Sequence, residues 1–117
     1  MRYDPNNVFA RILRDEIPSD RVYEDDEFIA FRDVAPQAPT HIVVIPRGEP
    51  PASPAALGED DCGWIGRMTV AATRIAAEQG LAEQGYRLVM NCGPDGGQTV
   101  DHLHMHILGG RQLGPLG

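Results

Sequence analysis

Apolar residues recur at helical spacing in two segments of the chain. Residues 7–16 carry four of them on one helical face, between a turn-forming stretch and Pro18, and we predict a short amphipathic helix there. Residues 59–79 begin with three acids that complement the N-terminal helix dipole and end before Gly80, which suits a C-terminal cap. The apolar positions behind these helices are Val8, Phe9, Ile12 and Leu13, then Ile65, Met68, Ala72 and Ile75.

Five shorter runs of β-branched and other apolar residues are typical of strands. The predicted strands are residues 21–23, 28–32, 41–45, 86–91 and 103–108. The four acids of residues 24–27 are interpreted as a solvated hairpin tip, and the proline-rich residues 48–58 as a loop without regular structure. The order of the elements predicts an α+β fold, with helices on one face of a mainly antiparallel five-stranded sheet.

Composition and charge exclude several classes of protein. The chain has 117 residues, of which 42% are hydrophobic and 23% charged, and we expect residues 1–117 to form a single domain. The net charge of -7 argues against binding to nucleic acid or to an anionic membrane. All ten basic residues are Arg, which excludes Schiff-base chemistry and the lysine of a P-loop NTPase.

The start of the chain and its two cysteines favour a cytoplasmic protein. The first residues show no apolar signal-peptide stretch, and no later run approaches the roughly 20 apolar residues of a membrane span. Cys62 and Cys92 do not have the C-x-x-C spacing. We therefore expect two free and mostly buried thiols that take no part in catalysis.

Three of the four histidines lie within five residues, at His102, His104 and His106. On a strand, this alternation directs all three imidazoles to one face, about 6.6 Å apart, while the apolar residues between them face the other way. Because clustered cations repel one another, some of these imidazoles must be neutral near pH 7. A neutral imidazole can serve as a nucleophile, a general base or a metal ligand.

The neighbouring residues favour acid–base or nucleophilic chemistry over a constitutive metal site. No acidic residue occurs from His102 to the end of the sequence, although histidine metal sites usually include a carboxylate or a cysteine. Adventitious binding of a divalent ion to the three histidines is a stronger expectation than a constitutive metal site. The Gly-rich residues 93–99 offer accessible backbone N–H groups and a hydroxyl, and we interpret them as an anion-binding wall beside the histidines.

Residues 102–108 (HLHMHIL) resemble the signature of the histidine triad family, specifically its Hint branch of purine nucleoside phosphoramidases. The resemblance extends to residues 96–100 (GGQTV), 33–41 (DVAPQAPTH) and 109–112 (GGRQ), and covers most of the chain. The last of these segments favours the Hint branch over the dinucleoside polyphosphate hydrolases. The resemblance implies a five-stranded antiparallel sheet with two helices, continued across a homodimer.

The resemblance also implies roles for the histidines. His104 would attack the α-phosphorus and become transiently nucleotidylated, while its other ring nitrogen donates to a backbone carbonyl. His106 would contact the phosphate oxygens and the leaving group. His102 and His41 would form a supporting hydrogen-bonded pair, and the Thr99 hydroxyl would assist the leaving amine.

A nucleotide-binding set follows from the same resemblance. Asp33 would accept hydrogen bonds from both ribose hydroxyls, and Thr99 would help to bind the phosphate. The apolar walls that enclose the base would be Val8, Phe9, Ile12, Phe31 and Val34. The remaining ribose and phosphate contacts would come from Asn91, Gly97 and Gln98.

The function predicted on this basis is metal-independent and cofactor-independent cleavage of the P–N bond of purine nucleoside 5′-phosphoramidates, releasing the nucleoside monophosphate. Alternatives are a dinucleoside polyphosphate hydrolase or phosphorylase, a nucleotide-binding or interaction protein without significant catalysis, and a metal-binding protein. A homodimer is expected from an apolar stripe of Met68, Ala72 and Ile75 beside an edge strand. Arg67 and Arg74 would lie near that interface.

Overall fold

The computed structural model describes residues 2–117, which form two helices and five strands in the predicted order. Two short 3-10 turns precede the second helix, one of them inside the segment predicted to lack regular structure. The bounds are α1 Val8–Leu13, β1 Arg21–Glu24, β2 Phe28–Arg32, β3 Thr40–Pro46, the turns Pro54–Ala56 and Glu59–Asp61, α2 Cys62–Glu78, β4 Tyr86–Val89 and β5 Met105–Gly109.

The five strands form one antiparallel sheet in the order β1-β2-β3-β5-β4. The last strand of the chain therefore lies between β3 and β4. In the register of β3 with β5, Val43 is opposite His106 and His41 is opposite Leu108. Two histidines distant in sequence thus become diagonal neighbours on adjacent strands.

The helices lie on opposite faces of the sheet, so the predicted placement on one face is wrong. Alternate residues of β2 and β3 belong to two separate cores because successive strand side chains point to opposite faces. The α2 core contains Phe28, Ala30, Ile42, Val44, Met68, Ala72, Ile75, Leu103, Met105 and Ile107. The α1 core contains Phe9, Ile12, Ile29, Phe31, Val43 and Ile45.

Both helices are shorter than predicted and end in the same motif. At α1, Asp15 adopts φ +60° and donates its N–H to Ile12 O (3.0 Å), while Glu16 N donates to Arg11 O (2.9 Å). At α2, Gly80 has φ +78° and the equivalent bonds reach Ala77 and Ala76. These are Schellman caps. The capping role predicted for Gly80 is confirmed, whereas at α1 an aspartate takes the left-handed position.

Several local expectations are wrong. Strand β4 ends at Val89 rather than residue 91, and β5 begins at Met105 rather than residue 103. Both cysteines are exposed, because Cys62 is the first residue of α2 and Cys92 follows β4 on an open loop. Among residues 2–117, no helix is both long enough and apolar enough to cross a bilayer.

Candidate active site

His104 is held in one tautomer by the main chain. It lies just before β5, is only 5% exposed, and its Nδ1 is 2.7 Å from the carbonyl oxygen of His102. Because a carbonyl only accepts hydrogen bonds, Nδ1 must be the protonated nitrogen. The Nε2 atom of neutral His104 therefore carries a free lone pair, as a nucleophile requires.

His106 is held in the complementary tautomer by a second chain of hydrogen bonds. The backbone N–H of Gln37 donates to Nδ1 of His41 (3.0 Å), so the proton of neutral His41 resides on Nε2. That Nε2 donates to Nδ1 of His106 (2.9 Å), which leaves the proton of His106 on its own Nε2. His104 thus presents an acceptor nitrogen and His106 a donor, with ring centroids 4.9 Å apart.

The expected pairing of His41 with His102 is wrong. The strand register places His41 beside His106, whereas the His102 ring lies near the end of β3. There, Nε2 of His102 is 3.1 Å from the carbonyl oxygen of Pro46, and Nδ1 is 3.1 Å from the hydroxyl of Tyr3. The alternation of the triad is confirmed, because Leu103 and Met105 pack into the α2 core on the opposite side.

Burial keeps the site histidines neutral at pH 7. Removal from water disfavours the charged form, and it is the largest cause of the lowered pKa in each of them. The pKa of His102 and that of His106 fall to about 4. The pKa of His104 and of His41 is also lowered, against an opposing effect of the Asp33 carboxylate. His104 is therefore already neutral at pH 7, which is the state that a nucleophile requires.

Asp33 supplies a carboxylate to the site, whereas residues 102–117 contain none. It follows β2, and its Oδ1 accepts from Ala35 N (2.8 Å) while Oδ2 is 3.5 Å from Nε2 of His41. Asp33, His41 and His106 bring three ligand-type atoms within 4.8 Å of one another. A metal ion at this point would have to displace the proton that His41 shares with His106, because Gln37 already occupies the other nitrogen of His41.

The apolar residues predicted to enclose a base are only partly assembled into one wall. The ring of Phe9 packs edge-on against His104 (4.9 Å between centroids) and against Phe31 (5.5 Å), with Ile12 buried in the same core. Val8 is 40% exposed and Val34 98% exposed. Phe9 therefore links the α1 core to the triad, and Val34 lies outside that packed wall.

The Gly-rich loop before the triad is braced by the polar side chains that were predicted to bind ribose and phosphate. Asn91 Nδ2 donates to Gly96 O (2.6 Å). Gln98 accepts from Gly93 N (2.9 Å) and donates to the carbonyls of Ala52 and Val100. A Cβ at Gly96 would lie 2.4 Å from Cys92 O, so the tight turn requires glycine there.

The tip of this loop remains open to solvent. Gly97 and Thr99 are exposed, and Gly97 adopts φ +80°. The N–H of Gly97 donates to Pro94 O (3.1 Å), that of Gln98 to Gly93 O (3.0 Å), and that of Gly93 to the Gln98 side chain. These three N–H groups therefore hold the shape of the loop, contrary to the expectation that they are free to bind an anion, whereas Thr99 is exposed.

Three contributors to the site were not identified from the sequence: Tyr3, the N–H of Gln37 and the carbonyl of Pro46. Two of these are main-chain groups, a carbonyl that every residue type has and an N–H that every residue type except proline has, so side-chain chemistry does not distinguish them. Tyr3 precedes the first predicted helix by several residues and belongs to no periodic pattern. Its contact with His102 spans 99 positions of the chain.

Comparison with known proteins agrees with this geometry. Residues 14–113 match the HIT domain. The chain is 52% identical over 109 residues to the purine nucleoside phosphoramidase of Escherichia coli K12, covering 93% of this chain and 91% of that protein.

Solved structures extend the match to the fold. A HIT family hydrolase from Legionella pneumophila superposes with a TM-score of 0.88 at 44% identity, over 92% of this chain and 95% of that one. A histidine triad protein from Clostridium difficile gives 0.90 at 39% identity, over 99% and 100%. The fold around the triad and the match over residues 14–113 lead to one conclusion: the chain belongs to the HIT domain family.

Proposed function

We propose that this HIT-family enzyme hydrolyses the P–N bond of purine nucleoside 5′-phosphoramidates through a nucleotidyl intermediate on His104. The observation that carries the proposal is the opposite polarity of two adjacent rings, a lone pair on Nε2 of His104 beside an N–H on Nε2 of His106. The E. coli relative named a purine nucleoside phosphoramidase supports the choice of substrate.

In the first step, the Nε2 lone pair of His104 forms a bond to the α-phosphorus as the P–N bond of the substrate breaks. The departing nitrogen keeps the bonding electron pair and takes up one proton from solvent. The Nε2–H of His106 is available to donate a hydrogen bond to the phosphate or to the departing nitrogen. Neutral His106 has only that one N–H proton, and giving it up would leave an imidazolate anion. His106 therefore stabilises developing negative charge by donating a hydrogen bond and keeps the proton.

In the second step, water adds to the phosphorus and the bond between phosphorus and Nε2 of His104 breaks. The water releases one proton to solvent, which balances the proton consumed with the amine. His104 regains its lone pair while Nδ1–H stays on the His102 carbonyl throughout. The cycle consumes one water and forms one amine and one nucleoside monophosphate.

The direct test compares two substrates with the same nucleotide. Purified protein is incubated with adenosine 5′-phosphoramidate or with a diadenosine polyphosphate, and AMP release is followed after dialysis against a chelator. We expect AMP from the phosphoramidate at an unchanged rate after dialysis. Preferential cleavage of the polyphosphate would favour the other hydrolase class, no release despite nucleotide binding would indicate a binding protein, and a loss restored by zinc would favour metal dependence.

Asp33→Asn is expected to weaken ribose recognition. The amide keeps the shape of the side chain but loses the charge that strengthens hydrogen bonds from two hydroxyls, at a cost of roughly 1.5–3 kcal/mol in kcat/KM. A 2′-deoxyribose substrate should lose part of the same energy. Measured as a double-perturbation cycle, the two losses should be less than additive; additive losses would place Asp33 outside the ribose site.

Light scattering is expected to show a homodimer of about 25 kDa, twice the 12.8 kDa chain. The support is β4, which ends the sheet with one side unpaired within the subunit, together with Val70, 49% exposed on α2. The stripe of Met68, Ala72 and Ile75 is already buried within the subunit, so its predicted part in the interface is wrong. A fully active 12.8 kDa monomer would contradict the dimer.

A further inference from the structure

Two side chains from the start of the chain converge on a single nitrogen of His102. The Tyr3 hydroxyl is 3.1 Å from Nδ1 of His102, and Asn7 Nδ2 is 3.4 Å from the same atom. Both residues lie before residue 14, where the match to the HIT domain begins. This contact is therefore a feature of the chain that the family match does not include.

The direction of the Tyr3 hydrogen bond follows from the other side of the ring. Pro46 contributes only a carbonyl oxygen, so Nε2 of His102 must donate to it. A neutral imidazole with its proton on Nε2 has a lone pair on Nδ1, and Tyr3 must be the donor to that lone pair. Both ring nitrogens of His102 are thereby satisfied while the residue is 0% exposed, as a buried polar group requires.

Clamping the His102 ring at both nitrogens also restrains its main chain. The carbonyl oxygen of the same residue accepts the Nδ1–H of His104 at 2.7 Å and so keeps the lone pair of His104 on Nε2. Tyr3 holds one edge of the His102 ring and Pro46 the other. Movement of this ring would shift the carbonyl that orients the nucleophile.

Asn7 also caps α1, the helix that contributes Phe9 to the same site. Its Oδ1 caps α1 by accepting from Ala10 N (2.9 Å), and α1 carries Phe9, whose ring packs edge-on against both His102 and His104. Replacing Asn7 would therefore disturb the helix as well as the histidine. The Tyr3 hydroxyl is the part of this arrangement that can be removed alone.

We propose that Tyr3 is a positioning residue, whose hydroxyl fixes the His102 ring and, through the His102 carbonyl, the attacking tautomer and orientation of His104. The proposal rests on the proposed function for its effect on turnover. Its effect on the histidines themselves is independent of any substrate. The two can therefore be tested separately.

Tyr3→Phe is expected to lower kcat by about three- to tenfold, the value of one neutral hydrogen bond, with KM changed less than twofold. The matched control is Tyr23→Phe, which also removes a tyrosine hydroxyl bond, here to Asp25 on the β1–β2 hairpin (2.5 Å). We expect the control to keep wild-type kcat. Equal kcat in Tyr3→Phe and wild type would overturn the proposal.

A second pair of variants tests whether Tyr3 acts through His102. In His102→Leu, the side chain has no polar atom, so it offers no acceptor to the Tyr3 hydroxyl. Adding Tyr3→Phe to that background should change kcat by less than about twofold, the usual error of additivity. A loss as large as in the wild-type background would show that Tyr3 acts by another route and would overturn the proposal.

The third arm needs no substrate. In ¹⁵N–¹H NMR spectra of the uniformly labelled protein, the Nδ1–H proton of His104 should move upfield and exchange faster with water in Tyr3→Phe, but not in Tyr23→Phe. A general loss of stability would not single out that proton. An unchanged His104 resonance would refute the role of Tyr3 even in an active enzyme, whereas a shifted resonance in a protein without phosphoramidase activity would refute only the proposed function.

Discussion

Replacing His104 with Ala should lower kcat for phosphoramidate cleavage by at least about a thousandfold, because in the proposed mechanism the substitution removes the group that forms the bond to phosphorus. Nucleotide affinity should stay within about tenfold, since the lost interaction belongs to the transition state rather than to binding. Steady-state kinetics and nucleotide titration measure the two effects separately. Thermal unfolding of the variant shows whether the fold is retained, since His104 packs against Phe9.

A variant that distinguishes a nucleophile from a structural histidine is His104→Gly. Its smaller side chain leaves room for free imidazole, which should restore part of the lost turnover by attacking the substrate in place of His104. Restoration that rises with imidazole concentration is the expected result. If His104→Ala retained more than a few per cent of wild-type kcat, the covalent mechanism would be wrong.

The second large effect concerns stability in mild acid. Histidines of an unfolded chain titrate near pH 6.5, but burial lowers the pKa of His102 and that of His106 to about 4. Between these values the unfolded chain binds more protons than the folded protein, so the free energy of unfolding must fall as the pH falls. Each of these histidines should cost roughly 2 kcal/mol at pH 5 relative to pH 7.

Urea unfolding at pH 7 and pH 5, at constant ionic strength, measures this loss. The carboxylates whose pKa is lowered, such as Glu27 and Asp61, lose their contribution at lower pH than this window and so contribute little to it. His104 and His41, whose pKa is also lowered by burial, contribute to the loss in the same direction. His102→Gln removes one of these four groups and should remove at most about half of the pH dependence. Equal stability of the wild-type protein at the two pH values would contradict the buried, neutral state of these rings.

The apolar pattern predicted which residues form elements better than it predicted what the elements pack against. Strands β2 and β3 read as nearly continuous apolar runs, FIAF and HIVVI, and such runs are typical of strands covered on both faces. That signal was present, but the predicted fold placed both helices on one face. The structure covers one face with α2 and the other with α1.

In the site, the residue types could be predicted from the sequence, but one hydrogen-bond pairing could not. The triad and Asp33 could be named from the sequence because their residue types and spacing match the family. The partner of His41 could not, since a period of two specifies the face of a strand but not its register against a neighbour. His41 bonds to His106 only because β3 pairs with β5 with Val43 opposite His106.

The helix ends show a further limit of pattern reading. Residues 14–16 continue the polar and charged composition of a helix C-terminus, yet α1 ends at Leu13. Asp15 adopts the left-handed conformation that glycine usually supplies. A prediction from composition therefore places the end of the helix beyond Leu13, although the backbone turns at Asp15.

The donor role of Nε2 in His106 begins at one main-chain hydrogen, the N–H of Gln37 that donates to His41. The side chain of Gln37 is exposed and, among residues 2–117, bonds only to the nearby Ala35 carbonyl, so most amino acids at this position would preserve the tautomer of His41 and hence that of His106. Proline is the exception, because it has no N–H to donate. Tolerance to substitution at position 37 thus depends on the backbone amide and not on side-chain chemistry, although the residue sets the direction of a proton in the site.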